Sequence, residues 1–573
     1  MTGMIVLGVL SALAVPVVVI VVIVVAATRR KPGQPLVPGV SLRRFFQYLL
    51  AFGLVVTTAV GASITATYLA DGMRRSGRGD LFSGVTTVVV AGLLLAGVGW
   101  WIARDLRRPE ERAAAGWRWY LALTCLVALA VTAVSSGLAL DAALAGRLDR
   151  VALAVAGVWV VVWGVHRGLE RATVPVADRS AHLFLGSLAG LVAMTTGIVL
   201  TLGALGRVPL TASALHVSGS SALTAGIAVL VVGVVVWAGH WLVGYRHAER
   251  RPAWLVLVLP VGVGGGTVLA VVGASRALYQ ALVWVIGTPV ESDAAQHLAT
   301  TPTALAAAVT GAGLVAYHRA VLGGGAVTTE VARVHRYLVS GLALGAAAVG
   351  LGLVVAAGLG ALGPSPLLGS DRNALLAALT LLAVAGPLWW TYWRRISRSL
   401  VADPEGETES PSRRIYLVVL FGVLAVVAAG AIIVAAVQFV RDLVEGASAA
   451  SAVHGVRAAL GVIVAAGTVA WYHGLVFRAD RARLAAVAPR PGPATDLPMV
   501  ARFARVVLVG PHDDAVTAAL AATGVAVETW VSDAVGPWGA EAVLAALAPL
   551  PGGVAVVVSE PDGPRARVAV PPA

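Results

Sequence analysis

Residues 413–442 read RRIYLVVLFGVLAVVAAGAIIVAAVQFVRD. Two arginines open the stretch, Arg441 and Asp442 close it, and no charged residue lies between Arg414 and Arg441. That run exceeds the roughly 20 residues a helix needs to cross a hydrocarbon layer about 30 Å thick. In hydrocarbon no water satisfies backbone N–H and C=O groups, whereas a helix bonds them to each other. The stretch therefore predicts a membrane-spanning helix. Comparable runs lie near 5–27, 45–70, 84–103, 119–141, 151–166, 182–205, 219–244, 253–275, 301–318, 337–361, 374–393 and 456–477. The fold expected is an all-α polytopic membrane protein of about 13 transmembrane helices.

Composition agrees. The chain has 573 residues, 58% hydrophobic and 12% charged, where a soluble protein carries about a quarter charged residues. That excludes an ordinary soluble enzyme and also a disordered chain. The net charge of +13 does not point to nucleic acid, because the basic residues are dispersed among loops and form no single patch. Counted over alternate loops, about 28 basic residues fall on one side and about 10 on the other, which orients the spans. The richer loops include Arg107, Arg108, Arg250, Arg251, Arg394, Arg395, Arg413 and Arg414. The expected topology has the N-terminus outside and the C-terminus cytoplasmic. Lys31 is the only lysine, a bias read as GC-rich codon usage and compatible with any bacterial membrane protein; the expected location is the bacterial plasma membrane. The lone Cys125, inside an apolar run, excludes an intrachain disulfide and reads as a small buried hydrophobe. Met4–Ala27 has no basic residue before it and Arg29, Arg30 and Lys31 after it, so it reads as a retained helix, not a cleaved leader.

The helices repeat in pairs. Second helices close on Trp101–Arg104, Trp163–His166, Trp237–His240, Val315–His318, Trp390–Trp393 and Ala470–His473, the last with Trp471 displaced by one. First helices open with an aromatic or His before Leu, as in Tyr48-Leu49, His182-Leu183, Trp254-Leu255 and Tyr416-Leu417. One anchor helix (residues 1–31) followed by six like-oriented hairpins (residues 32–484) is the predicted arrangement. Two spans per unit cannot generate the inverted-topology repeats common among secondary transporters.

This pattern resembles a family of bacterial multi-spanning membrane proteins catalogued only as a domain of unknown function. The resemblance rests on the Arg-Arg-x-x-x-Tyr-Leu opening, Arg43 to Leu49, and on the Trp-Trp-x-x-Trp-Arg-Arg closure, Trp389 to Arg395. It spans roughly residues 40–480 and implies an integral membrane protein, with no catalytic residues to carry over.

The recurrent Trp, His and Arg residues allow two readings. His166, His240, His318 and His473 occupy equivalent positions and are chemically able to ligate haem or a metal. The position is Arg104 and Trp393 in other units, however, which a ligand set would not tolerate. The expected role of Trp101, Arg104, Trp163, His166, Trp237, His240, His318, Trp390, Trp393, Trp471 and His473 is an interfacial belt, with the arginines facing anionic lipid headgroups. A helix break suited to a substrate is offered by Pro260, Gly262, Gly264, Gly265 and Gly266, though close helix packing is the plainer reading. The apolar segment Ala277–Ile286 is too short to span and is expected at the interface or against the bundle. The acidic run Asp403, Glu405, Glu407 and Glu409 reads as a solvated loop.

After residue 484 the pattern changes. Prolines 489, 491, 493 and 498 mark a linker over 485–502. Strand-like Val506–Val509, Val525–Trp530, Val554–Ser559 and Arg567–Val570 alternate with helical segments near 513–522 and 540–547, so residues 503–573 are expected to form a small cytoplasmic α/β domain. The aspartates of Gly510-Pro511-His512-Asp513-Asp514 oppose a phosphate cradle and suit a helix cap. The expectation is a non-enzymatic scaffold or sensor without cofactor or metal. Its partners would be membrane lipids, with anionic headgroups at the cytoplasmic face, and a cytoplasmic protein bound through 503–573. A transporter or channel for a lipid or small apolar or zwitterionic solute is the alternative.

Overall fold

The computed structural model describes residues 38–71, 77–211, 218–247, 250–323, 329–361, 368–487, 503–532 and 538–569. The expected anchor helix near 5–27 and most of the Pro-rich linker lie outside these. Among the described residues twelve helices are long and apolar enough to cross a membrane. We number them α1 Pro38–Ala70, α2 Arg78–Asp105, α3 Ala115–Leu144, α4 Arg150–Thr173, α5 Ser180–Thr211 and α6 Ser218–Trp237. Then follow α7 Pro252–Ile286, α8 Thr301–Gly323, α9 Thr329–Ala361, α10 Leu368–Ala402, α11 Pro411–Val444 and α12 Arg457–Val487. Each overlaps one of the apolar runs read from the sequence, and most extend past it by a turn or more where polar residues continue the helix beyond the hydrocarbon-length core.

Consecutive helices pack as hairpins: α1 with α2, α3 with α4, α5 with α6, α7 with α8, α9 with α10. The approach is close where glycine removes the side chain. A Cβ on Gly190, Gly197 or Gly233 would collide with the backbone of Trp237, Leu230 or Met194, so α5 and α6 touch backbone to backbone along their length. The hairpins pair in turn. Helix α4 returns to α1, α8 returns to α5, and Gly352 of α9 meets Gly461 of α12. The bundle is thus three successive four-helix modules, α1–α4, α5–α8 and α9–α12.

The structure departs from the sequence reading in three places. First, Ala277–Ile286 is neither a separate nor an interfacial segment; it continues α7, because nothing from Gly265 onward interrupts helical hydrogen bonding until Gly287. Secondly, α7 is not broken at Pro260. Leu257–Gly264 forms a π-helical stretch, and wider turns of this kind relieve the missing proline N–H and its ring clash. Shorter π-helical turns occur at Ala238–Leu242, where α6 ends, and at Val419–Val423 within α11. Thirdly, the acidic run is not uniformly solvated: Glu407 is 1% exposed. Cys125 is buried and free.

The chain divides into two compact units after Phe477. In the second, β1 Phe503–Gly510, α13 Asp514–Ala521, β2 Ala526–Val531, α14 Ala540–Leu547, β3 Gly553–Glu560 and β4 Gly563–Val568 follow in order. The sheet order is β2-β1-β3-β4, with β1 parallel to both neighbours and β4 antiparallel to β3. Val506, Leu508, Ala555 and Val557 alternate with outward residues and form one core with Val516, Leu520, Val543 and Leu547 of the helices. Asp513 caps α13 by accepting from the N–H groups of Ala515 and Val516. The last strand starts four residues before the expected 567, because the Glu560–Gly563 turn pairs it directly with β3.

Candidate functional site

Polar chemistry gathers where the arginine-rich loops meet the helix ends. In the first module Arg43 of α1 reaches Asp105 at 2.9 Å and Glu111 at 2.7 Å, and Arg44 reaches the other oxygen of Glu111 at 2.8 Å. In the third module Arg333 of α9 pairs with Glu407 and with Asp403, both at 3.0 Å. The second oxygen of Glu407 accepts from the Tyr337 hydroxyl at 2.6 Å, and Arg413 donates to that same hydroxyl. Glu111 is 4% exposed and Glu407 1%. A buried carboxylate is tolerable only when paired and hydrogen-bonded, as both are. Each lock ties the start of a module's first helix to the loop joining its two hairpins. Among the described residues the middle module has no equivalent; Arg179, just ahead of α5, donates instead to the backbone carbonyls of Val174 and Arg171 at the end of α4.

Beneath the locks lie aromatic–histidine clusters. His166, His240, His318 and His473 all place Nδ1 within 2.8–2.9 Å of the carbonyl four residues earlier. A carbonyl only accepts, so Nδ1 carries the proton in each and Nε2 is the nitrogen left for other work. His166 Nε2 meets the Tyr120 hydroxyl at 3.1 Å. His473 stands edge-on to Trp393 and Tyr416. Trp241 and Trp393 donate to Tyr317 and Tyr472, the residues directly before His318 and His473, at 2.7 and 2.8 Å. The same device therefore recurs in the second and third modules. Replacing Tyr120 with phenylalanine leaves His166 Nε2 unpartnered, with an expected cost of about 1–2 kcal/mol. A detergent melting curve indistinguishable from the parent would show that this hydrogen bond contributes nothing.

The residues assigned to the belt separate into three groups. Trp101, Arg104, Trp390 and Trp471 are exposed on the bundle, Trp163 and Trp237 are half-buried, and Trp393 and all four histidines are buried among helices. The histidines are not brought to one place, and among the described residues no three His, Cys, Asp or Glu side chains converge as a metal site would need. Around Pro260 the glycines are used for packing. The imidazole of His318 lies flat where a Cβ on Gly262 would be, and Gly266 abuts the Gly311 carbonyl and Leu314. Gly264 faces Leu338 and Leu342, while Gly265 meets nothing within 4 Å. His240 covers Gly186 in the same manner as His318 covers Gly262.

One cavity joins polar and apolar surface. It has a volume of about 460 Å³ and lies between the first two modules, bounded by α3, α4, α5 and α6. Arg167, Arg171, His182 and His240 line one part of it; Leu129, Val160, Val231 and Val235 line another, and Thr132 and Trp163 also face it. His182 is 3% exposed, and its Nε2, the Trp163 indole nitrogen and the Thr132 hydroxyl are buried without hydrogen-bond partners. Arg167 pairs with Glu170. Sequence reasoning missed His182, Arg171 and Thr132, because the cavity spans four helices from two modules and no local spacing marks it. It missed the locks as well, although acidic residues in the same inter-hairpin loop of two modules, Asp105 with Glu111 and Asp403 with Glu407, were a usable signal.

Fold and site together define a polytopic helical membrane protein with a small α/β unit after it. The profile of a family described as a domain of unknown function (DUF5671) matches the chain twice, at residues 44–165 and 333–468. Those segments coincide with the first and third modules, the two that carry carboxylate–arginine locks. No curated protein and no solved structure matches the chain.

Proposed function

We propose that this protein is a non-enzymatic scaffold or sensor of a bacterial plasma membrane, with its N-terminus outside and its α/β unit in the cytoplasm. The observation that carries the reading is the packing around Pro260–Gly266. The segment best suited by sequence to open a transport path is filled by His318 and by the backbone of α8. The locks at the module ends support it further, since each fixes a helix start to a loop through buried ion pairs that are costly to break. The α/β unit supplies a surface for a protein partner. Strand β2 is an edge of the sheet, and its Trp530 and Val531 are 59% and 75% exposed. An unpaired apolar edge is a template for another chain.

A lipid transporter is the second reading, favoured by the cavity beside His182. Reporter fusions in successive loops test the orientation: an external signal after Arg483 would overturn the topology. Purified full-length protein in proteoliposomes is expected to leave the transbilayer distribution of labelled phospholipid as it is in protein-free vesicles. Protein-dependent flipping would replace the scaffold reading with the transporter.

A further inference from the structure

The cavity between the first two modules has the anatomy of a site for one amphipathic anion. Its polar part carries Arg171 and Arg167, with His182 and His240 beside them. Among the described residues no carboxylate lies within ion-pair distance of Arg171, whereas Arg167 has Glu170. His182 has an imidazole nitrogen with no hydrogen-bond partner although the residue is almost wholly enclosed. A buried polar atom of this kind is normally satisfied by protein, water or ligand. From Arg171 the lining runs along α4 to Val160, roughly 16 Å at 1.5 Å per residue. Half of a hydrocarbon layer about 30 Å thick is about 15 Å. The apolar wall, Leu129 of α3 with Val231 and Val235 of α6, continues beside that length. Cationic and hydrogen-bonding groups at one end and aliphatic wall at the other, together about one leaflet long, complement a charged head and the upper part of a single acyl chain.

We infer that this cavity holds one acidic phospholipid, its phosphate at Arg171 and His182 and one acyl chain along Val160, Val231 and Val235. The assignment rests on the reading of the bundle as membrane-embedded. It is independent of what the α/β unit recruits, so its failure would leave the scaffold reading standing. A lipid seated there touches both modules and would cement α3 and α4 to α5 and α6.

Full-length protein is purified in mild detergent, offered phosphatidylglycerol or phosphatidylcholine in mixed micelles, and read by native mass spectrometry. The expected result is retention of one phosphatidylglycerol and no phosphatidylcholine. Arg171→Gln is expected to lower retention about fivefold, the weight of one basic residue at an anionic surface. Because Arg171 is exposed at its site, that variant should fold as the parent does. Val235→Trp, which fills the apolar part, should abolish retention. Equal retention of both lipids, or retention unmoved by both substitutions, would overturn the proposal. So would equal binding of inorganic phosphate or of a free fatty acid, which would assign the site to a head or a tail alone. Lipid retention that appears only after removal of residues 1–31 would also overturn it, since the chain's own N-terminal segment would then be the occupant.

Discussion

Replacing Glu407 with alanine is expected to destabilise the membrane unit by about 3–5 kcal/mol, the usual consequence of removing one partner from a buried ion pair. The carboxylate is 1% exposed and holds two donors of α9 at once, accepting from Arg333 and from the Tyr337 hydroxyl. Its loss leaves Arg333, itself 9% exposed, with Asp403 and Glu330, both nearer the surface. Most of the penalty lies in that stranded charge and not in the value of the pair. Exchanging both partners for apolar residues, Arg333→Met with Glu407→Leu, should therefore recover much of the stability. Unfolding of the full chain in detergent, followed by size-exclusion profile against temperature, reads both variants. If the single substitution melts with the parent, the lock is not a structural element. Glu111→Ala is expected to behave alike, since Glu111 receives Arg43 and Arg44.

Gly233→Val is the second large effect, with an expected loss of about 3 kcal/mol or more, at the upper end of overpacking. The added Cβ would collide with the backbone nitrogen of Met194. A flexible side chain can swing away from such a clash, but a backbone atom moves only with its helix. Helices α5 and α6 would have to separate, losing the contacts at Gly190 and Gly197 as well. A valine at Gly313, which meets nothing within 4 Å, is the control and should be tolerated. Equal melting of the two variants would mean that α5 and α6 are held apart by more than the structure indicates.

The contrast between these sites explains what the sequence made legible. Span positions follow from local composition: each helix is one uninterrupted apolar run between charged loops, and all twelve described spans lie where hydropathy and length place them. The α/β unit was readable for the same reason, because Val506, Leu508, Ala555 and Val557 alternate in strand period. Side-chain partnership was not. Arg43 and Glu111 are 68 residues apart, and Glu407 sits in an acidic run that looks solvated until Arg333 is brought against it. The histidines were misleading in another way. A His near Trp and Arg at a helix end suits a headgroup belt, and only packing shows that His318 and His473 are each 1% exposed. The end of α7 was misjudged because the span expected over 253–275 was already complete before Ala277, and span length alone gives no reason for a helix to continue.

The wide turns have a further consequence. Each of the three lodges beside a buried histidine: Ala238–Leu242 contains His240, Leu257–Gly264 contains the glycine under His318, and Phe421 of the third presses on Gly474 next to His473. A π-helical turn holds extra residues where a regular helix would hold fewer, so it acts as a phase shifter. One residue more or less rotates everything beyond it by about 100°. Deleting Val261 would therefore act at a distance. It would turn the far half of α7 until Thr267 and Val271 no longer face the interior, while Trp254 kept its place. The sequence on either side of each turn is free to keep its own angular register, with the spare residue absorbing the difference.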